Sequence, residues 1–241
     1  MTVAAKDQAL YAIVSADRPA TIDQVIATMQ RIDGALADDD GLKWFNRMYM
    51  MVTTQVDLNP PGGAWKDPVW LLALDVIFAN LYLDALSGYL EGSNRVPGSW
   101  RALLDARYTP GIDRIQFALA GMNAHINRDL SLALVKTNAK LNVNPGPASP
   151  QQQDYDSVNN LLNSLIPSTL NMLATDTLGV LAQSTGKIGR LLAFWDICKA
   201  RNLAWQFAGH LGILMQPGQI IALASQDQLT GVIGRAILAF A

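Results

Sequence analysis

The sequence predicts an all-α protein: a single domain over residues 1–241, built as a multi-helix bundle around one buried central helix. Three observations carry this expectation. Apolar residues recur with helical period in almost every segment and almost nowhere alternate as a half-buried strand would. The breaks between periodic segments have Pro, Gly and Asn turn chemistry. Half of the residues are apolar and only 16% are charged, a balance that suits a high buried fraction or further surface hidden in an oligomer.

The elements follow in order. Thr21 precedes Ile22-Asp23-Gln24, a capping-box-like start. Ile22, Val25, Ile26, Met29, Ile32 and Leu36 then form one apolar stripe, which ends near the acidic turn Asp38-Asp39-Asp40-Gly41, read as a solvated loop. A second helix is expected from about Leu42 to Val56, stopped by Asn59-Pro60-Pro61-Gly62-Gly63. Asp67-Pro68 opens a third, with Asp as N-cap and Pro at the first helical position, running to about Tyr89. Its window from Trp70 to Leu86 is very apolar but interrupted by Asp75, Asn80 and Asp84, so it reads as a core helix and not a bilayer span.

After a loop over Gly92–Gly98 comes a short helix with Trp100 and Leu103, and Pro110-Gly111 begins the central helix, expected to reach about Thr137. The segment from Asn142 to Gln153 reads as the least structured, either a lid or a surface connection. Helices are expected at about 154–175, 177–198, 200–214 and 227–240, with Pro217-Gly218 separating the last two.

Composition also excludes classes. A net charge of −2 without a run of Lys or Arg argues against nucleic-acid binding. One cysteine, Cys198, in an apolar run, rules out an intramolecular disulfide and reads as a buried thiol in a reducing compartment. The N-terminus lacks the pattern of a secretory signal, so a cytoplasmic location is expected. No P-loop, dinucleotide fingerprint, nucleophile elbow, Cys-based metal motif or Asp-rich magnesium cluster is present, and no cofactor is expected.

The candidate site lies in the middle of the central helix, where Gly121-Met122-Asn123-Ala124-His125-Ile126-Asn127-Arg128-Asp129-Leu130 sets polar groups into an apolar segment. Unpaired buried polar groups cost on the order of 1–3 kcal/mol each, so these must find partners. At about 100° per residue, His125 and Asp129 share one face and Asn123 and Asn127 another. His125 is a candidate general base or metal ligand, with Asp129 fixing its tautomer; a histidine hydrogen-bonded in the core is the competing reading. On the third helix Asp75 and Tyr82 share a face, and Asp75 reads as a buried acid or a structural partner. Asn46, Tyr49 and Thr53 form a polar edge on the second helix. Arg201 and Trp205 lie a turn apart late in the chain, with Arg201 the natural counter-charge for Asp75, Asp129 or an anionic ligand.

The decapeptide at 121–130, with Phe45-Asn46, Tyr49, Thr53, Asp75, Phe78-Ala79-Asn80-Leu81-Tyr82 and Trp100, is similar to the signature of a bacterial all-helical family of unknown function. The resemblance extends through Asp154 and Asn159 to Arg201 and Trp205. It implies a shared fold and polar centre, and brings neither a reaction nor a catalytic residue set.

The leading expectation is a cofactor-independent enzyme acting on a hydrophobic small molecule by cyclisation, isomerisation or elimination in an inter-helical cavity. His125 would move the proton, Asp129 orient it, Asp75 act as acid and Arg201 stabilise negative charge, while Tyr49, Tyr82, Asn123, Asn127 and Trp205 position substrate. A metal-assisted hydrolase using His125, Asp129 and Asp154 or Asp156 is the first alternative, with His210 the only other imidazole. A non-catalytic binding protein for an apolar ligand is the second. A homo-oligomer is also open, with Trp65, Trp70 and the apolar C-terminus as interface.

Overall fold

The computed structural model describes residues 3–58, 60, 63–173 and 196–239. Its helices are α1 (Gln8–Val14, preceded by a 3₁₀ turn Ala5–Asp7), α2 (Ile22–Ala35), α3 (Leu42–Leu58), α4 (Pro68–Leu90), α5 (Gly98–Ala106), α6 (Arg114–Ala124), α7 (Leu130–Leu141), α8 (Pro150–Leu173), α9 (Ile197–Ile213) and α10 (Gln216–Leu238). Among the described residues there is no strand, and the all-α class predicted from periodicity holds. A π turn over His125–Asp129 joins α6 to α7, so one rod runs unbroken from Arg114 to Leu141. Every residue from Ile115 to Ala124 is buried, which makes this rod the centre of the bundle.

The neighbours enclose it in order. α6 packs against α3, α5 and α10, and α7 against α4 and α9. α1 and α2 close the side made by α3 and α4. The caps match the residues that signal them. Thr21 accepts from Gln24 N, and Asp67 accepts from Trp70 N with Pro68 beginning α4. Close approach sets the α3–α6 crossing: a Cβ on Gly121 would sit 2.4 Å from Phe45 Cγ, so only glycine seats that ring.

Several boundaries differ from expectation. The central helix starts at Arg114 and not at Pro110-Gly111, with the Gln116 side chain accepting from Asp113 N at 3.0 Å. α8 starts at Pro150, where Ser149 Oγ accepts from Gln152 N, a turn ahead of the start expected at about 154. The buried Asp154 carboxylate accepts from Lys66 N and Asp67 N, fixing the approach to α4. α10 starts at Gln216, well before 227, because Pro217 sits in its first turn, where no N–H is needed. The helix α1 had no expectation at all. The helix expected over 177–198 lies outside the described residues except at its end.

Burial also corrects three readings. Asp40 is not solvated: it is 0% exposed and pairs with Arg107, whose Nε lies 3.0 and 2.9 Å from its two oxygens. Arg107 Nη2 also donates to Asp7 at 3.1 Å, which ties the N-terminal turn to the bundle. Trp70 is fully buried, donating to Asn138 Oδ1 at 2.8 Å, and so offers no interface. Cys198 is half-buried, with its thiol beside Asn163, and burial pushes its pKa up. α4 is long and apolar enough by composition to cross a membrane, yet most of its apolar window is buried against its neighbours in this fold.

Candidate active site

The site is built on the wide turn of the central rod. In the π turn Leu130 N–H reaches back to His125 O, one residue further than α winding allows. Such turns interrupt helices mostly as single wide turns, frequently at functional positions. His125 and Asp129 stand one above the other here, with His125 Nδ1 3.3 Å from Asp129 Oδ2. Both are sealed, at 1% and 0% exposure.

The Asp129 carboxylate is held at both oxygens. Trp100 Nε1–H on α5 donates to Oδ2 at 2.8 Å, and Arg128 Nη1 donates to Oδ1 at 2.5 Å. Burial alone would raise its pKa, but the bond from His125 and the Arg128 charge outweigh this and hold it below the usual carboxylate range. Burial also drives the His125 pKa down, against the pull of Asp129. The imidazole is therefore neutral at pH 7, and the tautomer that satisfies Asp129 carries its proton on Nδ1. Nε2 is then a bare lone pair, and it has no hydrogen-bond partner among the described residues.

Aromatic rings surround the imidazole. Phe78 stacks on it with centroids 3.5 Å apart and planes 5° apart, and Tyr49 meets it edge-on at 4.4 Å. Phe45 and Trp100 stand at 5.7 and 5.8 Å. The Tyr49 pKa is raised well above its ordinary value, by burial first and then by Asp75. Tyr82 lies one ring further out, stacked on Trp100 and donating to Asn46 Oδ1 at 3.4 Å.

Asp75 sits one turn before Phe78 on α4. Its Oδ2 is buried without a hydrogen-bond partner among the described residues, and burial pushes its pKa up to about 7, against the pull of Arg201. Arg201 makes no ion pair with Asp75 or Asp129 among the described residues. It clasps α9 to α8, donating to Asn159 Oδ1 at 2.8 Å and to Tyr155 O at 2.9 Å, with its guanidinium over the Tyr155 ring. The counter-charge of Asp129 is its own neighbour Arg128. Trp205 belongs to the Arg201 layer, against Trp70 and Tyr155.

Asn123 and Asn127 face away from this centre. Asn127 donates to Asn123 Oδ1 at 2.9 Å, and Asn123 donates to Thr230 O at 2.8 Å, which fastens the rod to α10. Asn127 also borders a groove of about 700 Å³ between α9 and α10, with Lys199, Gln226 and Thr230. A separate apolar cavity of about 160 Å³ lies among Met48, Val52, Leu119, Met122 and Leu162. Neither the groove nor the cavity reaches His125.

A metal has few donors to bind. Among the described residues no three His, Cys, Asp or Glu side chains converge. Asp154 is committed to backbone N–H groups, and His210 stands exposed in the last turn of α9. Sequence reasoning did not assign Phe78, Trp100 or Arg128 to the site. Adjacency to Asp129 was a usable signal for Arg128, whereas Trp100 and Phe78 arrive only through tertiary packing.

The fold and site together define an all-helical protein with a buried, aromatic-walled His–Asp pair on its central helix. A family model described as "Family of unknown function (DUF5995)" matches residues 22–240, and the chain belongs to that family. No curated protein and no solved structure matches it.

Proposed function

We propose that the protein is an enzyme that moves a proton on a hydrophobic small molecule, with His125 as the base. The observation that carries this reading is the state of the imidazole. One nitrogen is pinned by a carboxylate that is itself held at both oxygens, and the other is a lone pair without a partner among the described residues, on a ring packed among aromatic side chains. A base oriented by a fixed acceptor is the arrangement that proton transfer requires. A purely structural histidine would be expected to satisfy both nitrogens, because an unpaired buried polar atom costs on the order of 1–3 kcal/mol. Asp75, titrating near neutrality, is the candidate acid. The aromatic wall favours an apolar or transiently cationic substrate, and isomerisation, cyclisation or elimination needs no further group. A bacterial, cytoplasmic specialised-metabolite pathway is the setting proposed for such a substrate.

Because the imidazole is 1% exposed, substrate reaches Nε2 only when the packing around it opens. The test is conversion of fractionated lipophilic metabolites by the purified protein, followed by mass spectrometry. His125→Gln, folded by circular dichroism, is expected to lower conversion by about 10²–10⁴-fold. Conversion equal to the wild type overturns the proposal. Retention of a metabolite without any conversion by the wild type favours a binding protein instead, for which the apolar cavity beside Met48 and Met122 is the supporting observation.

A further inference from the structure

The two groups that hold Asp129 both lie beside one carboxylate on a distant helix. Asp227, on α10, accepts from Gly98 N at 2.7 Å through Oδ2. Its Oδ1 accepts from Ser99 N at 3.1 Å and from Ser99 Oγ at 2.7 Å. Gly98 and Ser99 are the first residues of α5, and Trp100 follows them directly. A carboxylate on the free N–H groups of a first helical turn fixes that turn by charge-assisted bonds and by the favourable end of the helix dipole. The same Asp227 Oδ1 stands 3.8 Å from Arg128 Nε, an ion pair without a hydrogen bond. Gly231, one turn along α10, keeps the contact this close, since a Cβ there would lie 2.9 Å from Gly98 O.

Two chains of contacts therefore lead from Asp227 to Asp129. One runs through Ser99 and Trp100 to Oδ2, the oxygen that also faces His125 Nδ1; the other runs through Arg128 to Oδ1. We propose, resting on the acid–base reading of His125, that Asp227 is a positioning residue: through Trp100 and Arg128 it sets the orientation of Asp129 and so keeps the proton of His125 on Nδ1. The partners that orient a histidine's acceptor decide which ring nitrogen stays basic, so Asp227 acts on Nε2 without touching it. If Asp227 only fastens α5 to α10, its loss weakens the fold and leaves the imidazole as it was.

Nitrogen-15 NMR of the histidine rings separates the two roles. The chain has only two histidines, and His210, exposed on α9, serves as internal reference. In the wild type at pH 7, His125 is expected to show one protonated nitrogen, Nδ1, and one bare nitrogen, Nε2. In Asp227→Asn, which keeps the shape and removes the charge, the two resonances are expected to move toward each other as tautomers mix, while those of His210 stay in place. If that variant does not fold, Ser99→Ala removes one bond to the same oxygen and spares the carboxylate; His125 and the Trp100 indole N–H are then expected to shift. A folded variant whose His125 nitrogens keep their wild-type positions overturns the inference. That result leaves the acid–base proposal standing, because that proposal falls only to the turnover of His125→Gln.

Discussion

Replacing Asp75 by Asn should do almost nothing below about pH 4 and stabilise the protein increasingly above it, most at alkaline pH. The carboxyl is pushed up to about 7 by burial, from an ordinary 3.8. A group with a raised folded pKa binds its proton more tightly folded than unfolded. Its contribution to stability is complete below the unfolded value and is lost as pH rises through the folded one. Between pH 5 and pH 7 the folded state keeps the proton and the unfolded state has released it, so stability falls by about 1.36 kcal/mol per unit, or about 2.7 kcal/mol over that interval. Asn carries no such dependence. The difference in unfolding free energy between Asp75→Asn and wild type should grow by about 2.7 kcal/mol from pH 5 to pH 8, then stay level. Urea unfolding followed by circular dichroism at unit steps of pH measures it. A difference that changes by less than about 1 kcal/mol over that range would refute the raised folded-state pKa of Asp75.

Two further outcomes follow from packing. Arg107→Met leaves the buried carboxylates of Asp40 and Asp7 without their cation, and should cost about 3–5 kcal/mol in urea unfolding; a loss under about 1 kcal/mol would show that this cluster is solvated. Gly121→Ala forces a Cβ to within 2.4 Å of Phe45 and should cost about 1–3 kcal/mol, with a changed near-ultraviolet circular dichroism from the displaced aromatic wall. An unaltered spectrum would mean that the α3–α6 spacing gives way and the ring does not.

What could be read from the sequence was what lies within a few residues. Helical period gave the class, and Thr21 and Asp67 marked starts because a cap and its N–H targets are neighbours in the chain. The His125–Asp129 pairing was legible for the same reason, being one turn of one helix. Long-range partners were not. Asp40 stood in an acidic turn and looked solvated, because nothing local announces Arg107, and Arg201 looked like a counter-charge for Asp129, because nothing local announces that Tyr155 and Asn159 occupy it. The start of α10 was missed for a different cause. A proline signals either a break or a first turn, and only the surrounding packing decides which.

The extra residue in the turn at 125–129 also changes how the rod divides its attention between neighbours. A helical wheel drawn through 114–141 as one spiral slips out of phase after Asp129, by close to the angle of a single position. The half before the slip addresses α3, α5 and α10, and the half after it addresses α4 and α9. One continuous strut thus serves two sets of partners that a uniform spiral would have aligned along common stripes. The slip falls at the one place where a histidine must point at rings on one side while two asparagines hold the opposite side fast.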